Sequence, residues 1–300
     1  MNENYTNEYK YSLMNFGKSF LTKPSESNKK LSRLFAGLSV GVYFLVNYVV
    51  ATVISLVASI ALIIICELVS IDIMEAEVYL TSILNSLIYV ILFIALLPFL
   101  IRSLIEYFKK ICMKNFLIFS LIAFVAFMAI IMVYNLTIQE FMIQLLVRLN
   151  IISEEVLKAY SESGNQQAIN SMLTNPASAI IAIPTLVVLG PVTEELVFRK
   201  ALFRLFNFKN NIFSILITAF LFGIIHVSSA ILLNLTQILS GNIAYGIQTT
   251  ILEIIYLGSY CLPGLLLGIV YSITGHNIYP VMLVHILNNA LAVILSFIQI

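Results

Sequence analysis

Three sets of polar residues interrupt otherwise apolar sequence, and their types suit hydrolytic chemistry. GPVTEELVFRK (190–200) sets Glu194 beside Glu195, with Arg199 four residues after Glu195, directly behind the uncharged run AIIAIPTLVVL. AFLFGIIHVSS carries His226 four residues after Phe222, and YPVMLVHILNNAL carries His285 and Asn289, again four apart. The chain has 3 histidines, and two of them lie in these segments. A glutamate facing a histidine in a dry cavity can hold a water and deprotonate it. A second histidine with an asparagine can donate hydrogen bonds to a developing oxyanion, a contribution of ~3 kcal/mol. The same Glu194, His226 and His285 could instead bind Zn2+, which lowers the pKa of a bound water to about 7. Both routes end in hydrolysis of a carbonyl compound, and a peptide bond in or near a membrane is the natural candidate.

Each set also has a plainer explanation. Acids just after Pro191 suit the first turn of any helix, and Glu195 with Arg199 makes an ordinary i, i+4 pair. His226 alone, or His285 with Asn289, could join two helices by hydrogen bonds. The case for a site rests on whether the elements bring the sets together.

Hydrophobic residues make up 60% of the 300 and charged residues 10%, against about 25% charged in soluble domains. Many apolar runs reach the ~20 residues of a spanning helix. The chain therefore reads as all-α, a polytopic transmembrane bundle of about eight helices around a central intramembrane polar cavity. The spans fall near 36–65, 80–101, 115–137, 176–206, 211–229, 243–258, 260–275 and 278–299. SGN (240–242) and the proline of CLPG (261–264) are the only breakers that divide 230–275. Residues 1–33 form a polar tail, 34–175 the N-terminal membrane helices with a loop at 138–175, and 176–300 the part that holds all three motifs. In the loop, FMIQLLVRL (141–149) suggests a surface helix and SESGNQQ (161–167) a flexible link. Basic residues in the tail, around 102–114 and at 199–209 assign those segments to the cytoplasm. Eight crossings then leave both termini cytoplasmic. Balanced charge gives no reason to expect a nucleic-acid partner; the partners expected are the lipid bilayer and a membrane-associated peptide. Cys66, Cys112 and Cys261 show no paired spacing.

Counting along the helices couples two of the sets. Glu194 lies 16 residues before position 210 and His226 lies 16 after it. NFKNN (207–211) is the natural turn of an antiparallel hairpin, so both sit roughly 24 Å from it at ~1.5 Å per residue. His285, five residues past Pro280, reaches a middle depth when counted from the opposite face.

Other intramembrane protease chemistries find no support. An aspartyl dyad needs two aspartates and the chain has one, Asp72; HExxH is absent. Ser228 and Ser229 follow His226 without a nucleophile loop of the GxS kind.

The three motifs, in this order, resemble the CPBP intramembrane proteases, which include the type II CAAX prenyl endopeptidases and the Abi proteins. That family has EExxxR, FxxxH and HxxxN or HxxxD on successive membrane helices; here they read EELVFR, FGIIH and HILNN. The resemblance covers roughly 176–300. It implies an intramembrane endopeptidase in which Glu194 and His226 activate water, His285 and Asn289 stabilise the oxyanion, and Glu195, Arg199 and Phe222 give support. The family is commonly called a metalloprotease family, and a metal-free glutamate mechanism has been argued for its eukaryotic branch, so Zn2+ and no metal both stay open. The resemblance also suggests a bacterial membrane and an immunity or abortive-infection setting. His276 departs from the pattern, standing where the family usually has Asn after Thr-Gly; it is expected near the external end. Two other readings remain: a non-catalytic immunity or peptide-binding protein using the same pocket, and a proton-relaying transporter, which the missing internal repeat disfavours.

Overall fold

The computed structural model describes residues 29–69, 73–108, 113–206 and 211–299. The expected tail (to residue 28), Asp72, Cys112 and the turn at 207–210 lie outside them. Among the described residues there is no strand, and seven helices are long and apolar enough to cross a membrane. In chain order they are α1 (Arg33–Val69), α2 (Ala76–Ile101), α3 (Asn115–Arg148), α6 (Pro176–Phe206), α7 (Asn211–Leu239), α8 (Ile243–Ile273) and α9 (Ile278–Ile298). Two short helices, α4 (Glu154–Ala159) and α5 (Gly164–Leu173), form the connector between α3 and α6. The chain is an integral, multi-pass helical membrane protein.

The expectation of eight spans is corrected at 243–273, which runs as one helix. Pro263 lies inside α8. A proline in a helix interior removes one backbone bond and crowds the carbonyl four residues back, but membrane helices tolerate this where neighbours supply polar partners. One turn earlier the Ser259 hydroxyl ties α8 to α3 by donating toward Gln139 and Asn135. Gly264 marks a tight crossing, since a Cβ there would lie 3.0 Å from the Ala219 Cα of α7. The break falls instead at SGN, where Gly241 takes a left-handed φ of 99° and turns α7 back into α8. Seven candidate crossings among the described residues, in place of eight, give no support to the count from which both termini were placed in the cytoplasm.

One continuous α8 also moves the turn at 274–277 to the end of the bundle where α6 finishes. His276 is there, its ring 5.4 Å from that of Phe203, and so is not at the end where it was expected. The depth of His285 is likewise counted from the same end as the 207–210 turn.

The connector is more ordered than its composition suggested. FMIQLLVRL continues α3, past a π-helical stretch at Asn135–Gln139. SESGNQQ starts α5, whose first turn is capped by the Ser163 hydroxyl accepting from the Gln166 N–H. Asn175 caps α6 in the same way, with Pro176 in its first turn. Lipid gives no hydrophobic drive between helices, so close packing and interhelical hydrogen bonds must hold them. The crossing of α2 with α6 uses both: Ser82 and Ser178 hydroxyls are 2.8 Å apart, and the Ser86 hydroxyl donates to the Ile181 carbonyl at 3.1 Å.

Candidate active site

The site is built on α6, whose backbone is not uniformly α-helical. Two π-helical stretches, Thr185–Leu189 and Leu196–Leu202, flank Gly190–Glu195. Such bulges occur often at functional sites, and here their cause can be followed. The Gly190 N–H bonds the Thr185 carbonyl, five residues back. Continuing that pattern, residue 191 would bond the Leu186 carbonyl, but Pro191 has no N–H. Asn289 on α9 meets that carbonyl, its side-chain amide donating to it at 2.9 Å. Asn289 thus anchors α9 to the irregular turn that carries the two glutamates.

At about 100° per residue, adjacent helical positions point in different directions. Glu195 turns inward and is fully enclosed, 3.0 Å from the Arg199 Nε. Arg199 is also enclosed, its guanidinium over the Phe222 ring at 5.6 Å. Glu194 turns toward a cavity of about 750 Å³ and accepts a hydrogen bond from the Tyr89 hydroxyl at 3.1 Å.

Both site histidines aim the same ring nitrogen at Glu194. His226 Nδ1 lies 2.7 Å from the Phe222 carbonyl. A carbonyl only accepts, so that nitrogen carries the proton, and in the neutral ring Nε2 is left with a lone pair. His285 Nδ1 lies 2.9 Å from Glu195 Oε1, which fixes its ring by the same logic. The two Nε2 atoms are then 4.0 Å (His226) and 3.8 Å (His285) from Glu194 Oε2. These gaps exceed a direct hydrogen bond and suit one bridging oxygen. His285 therefore touches both carboxylates, one through each nitrogen. The rings are braced laterally by Phe222, 4.5 Å from His226 and 5.8 Å from His285, and by Tyr260, stacked on His226 at 4.7 Å.

All seven residues singled out from the sequence are thus brought together. Glu194, His226 and His285 converge on one point, Glu195 and Arg199 lie behind them, and Phe222 lies between. Asn289 also lines the cavity, with Asn288 donating to its carbonyl oxygen at 3.1 Å. The donor types match those Zn2+ takes, but among the described residues no group of three or more His, Cys, Asp or Glu is set closely enough to hold an ion.

Two tyrosines had not been singled out. Tyr89 belongs to a stripe on α2, Thr81, Asn85 and Tyr89, spaced by four and all lining the cavity. Polar residues at helical spacing inside an apolar span are a usable signal. Tyr260 offered no comparable pattern; its hydroxyl meets Ser163 at 2.6 Å and Asn165 at 3.2 Å, so its role depends on where the connector folds.

Residues 176–291 match the family described as type II CAAX prenyl endopeptidase Rce1-like. This part of the chain is similar to that family. The match bears out the family resemblance of the motifs. It starts at the first residue of α6 and ends two residues past Asn289, covering less than half of the chain but all three motifs. In general terms it implies endopeptidase activity of the CAAX type within a membrane. No curated protein and no solved structure matches the chain.

Proposed function

We propose that the protein is an intramembrane endopeptidase that hydrolyses a peptide bond of a membrane-associated peptide or protein, with Glu194 as general base. The observation that carries this reading is the approach of both imidazole Nε2 atoms to Glu194 Oε2, at 4.0 and 3.8 Å, on the wall of one cavity. A water at that point donates one proton to Glu194 and the other to His226 Nε2. Glu194 removes its proton as the water oxygen attacks the scissile carbonyl carbon. The oxyanion takes a hydrogen bond from the second N–H of the Asn289 amide, and His285, its ring oriented by the Nδ1–H that Glu195 accepts, flanks it. Collapse breaks the C–N bond, and the proton held by Glu194 passes to the leaving amine. Base and oxyanion donor each supply about 10²-fold or more.

Side chains alone carry this sequence, so the reaction should survive chelation, whereas loss of cleavage that Zn2+ restores would show that an ion completes the site. In the orientation given by the basic residues, the tail lies in the cytoplasm, the connector outside, and the end of α9 outside. The decisive experiment reconstitutes wild type and Glu194→Ala in liposomes with a membrane-tethered peptide library and reads new N-termini by mass spectrometry. Wild type should cleave and Glu194→Ala should not. Equal cleavage would overturn the assignment, and peptide capture without cleavage, retained in the variant, would favour the peptide-binding immunity role.

A further inference from the structure

The charge of the cavity narrows what it can accept. Among the described residues lining it, the carboxylates are Glu162 and Glu194, and no Lys or Arg lines it. Buried Arg199 is 3.0 Å from Glu195 and 5.6 Å from the centre of the Phe222 ring. Toward the connector the balance is also acidic: Glu140, Glu154, Glu155 and Glu162 against Arg148 and Lys158. Amide side chains also line it: Asn47, Asn85, Asn135, Gln139, Gln166 and Asn288, spread over α1, α2, α3, α5 and α9.

These features fit one kind of ligand. An extended chain within a membrane must satisfy each backbone N–H and C=O, and a carboxamide offers both a donor and an acceptor. These amides can therefore replace water for a stretch of backbone without selecting a charge. A free carboxylate, by contrast, would be desolvated with no counter-ion on the wall. A C-terminus three residues past the scissile bond would lie about 10 Å from Glu194 at ~3.3 Å per residue. At that separation and an effective dielectric near ~20, like charges weaken binding by about tenfold or more.

We infer that the cavity binds an internal, extended peptide stretch, neutral or cationic, through its backbone, and rejects a free C-terminal carboxylate. This rests on the endopeptidase reading and departs from the C-terminal position that a CAAX substrate implies.

The protein contains no tryptophan, so a peptide carrying one reports its own binding by fluorescence. The probes are twelve-residue peptides of Ala, Ser and Leu with one Trp, ending as an amide, as a free carboxylate, or as Lys-amide. They are titrated into full-length protein in phosphatidylcholine nanodiscs, with empty nanodiscs subtracted. The amide and Lys-amide forms should bind at least about tenfold more tightly than the carboxylate, and Glu162→Gln should narrow that gap by about threefold. Equal or tighter binding of the carboxylate, a gap that Glu162→Gln leaves unchanged, or no binding above empty nanodiscs would overturn the inference. Cleavage is scored separately on the same samples. Preference without cleavage would sink the hydrolytic reading alone, and cleavage favouring the free carboxylate would sink this inference alone.

Discussion

Glu194 on α6 and Glu253 on α8 are both buried carboxylates on membrane-spanning helices, one 7% exposed and the other fully enclosed. Their surroundings differ in kind. Glu253 Oε1 accepts from the Tyr160 hydroxyl at 2.7 Å and from the Gly164 N–H at 2.6 Å. Both donors belong to the connector, and nearby the Tyr256 hydroxyl holds the Ser161 carbonyl at 3.0 Å. The approach is close enough to require glycine, since a Cβ at Gly164 would come 2.6 Å from that of Ala230. Glu253 is thus a clasp that fastens α5 to the bundle. Glu194 has one donor at 3.1 Å and, on its other oxygen, two lone-pair nitrogens across gaps of 3.8 and 4.0 Å. An acid at depth does not mark a reactive site by itself; the distinction is between donors that close on it and acceptors that leave room for a substrate atom.

The contrast can be broken by exchanging losses. Glu194→Gln should lower single-turnover cleavage by about 10³-fold while leaving the melting temperature nearly unchanged. Glu253→Ala should do the reverse, costing about 1–3 kcal/mol for each donor left unpaired with a cleavage rate near wild type. Similar losses of cleavage in both variants would erase the distinction. Glu195 tests a third situation, the neighbour wholly enclosed with a cation. Glu195→Gln strands Arg199 and should destabilise the fold by about 3–5 kcal/mol, read as lost folded yield in detergent; a stable variant would show that Arg199 has another partner. Tyr89→Phe removes the one donor to Glu194 among the described residues and should slow cleavage by about tenfold without shifting stability.

The smallest effect lies away from both carboxylates. Burial, with the Lys200 charge nearby, pushes His276 down to about 4 from an ordinary value near 6.5. The unfolded chain then binds the extra proton between these values, so stability is complete above about pH 6.5 and falls as pH drops toward 4. Between pH 7 and 5.5 the loss should be about 1 kcal/mol. Thermal melts should show it in wild type and not in His276→Asn; a flat wild-type profile would contradict the burial assigned to this ring.

Much of the site was legible because it follows from counting. Equal offsets from one turn placed Glu194 and His226 at one depth, and i, i+4 spacing placed Asn289 on the face of His285. Other features depend on contacts that counting does not reach. The continuity of α8 through Pro263 is one, and the break expected there placed His276 at the other end of the bundle. The π-helical turns of α6 rest on a carbonyl freed by Pro191 and met by Asn289, residues almost a hundred positions apart. The connector reads as polar and mobile, yet Tyr160 and Gly164 are ordered by Glu253, the last charged residue of the chain.

The central claim is that Glu194 and His226 act as a unit on one water. The direct test is a double-mutant cycle of Glu194→Gln and His226→Asn under single-turnover conditions with one cleaved peptide. Groups that work as a unit give grossly non-additive losses, so the double variant should be no more than about threefold slower than the slower single one. Losses that multiply would contradict the account, because the two residues would then serve the reaction independently.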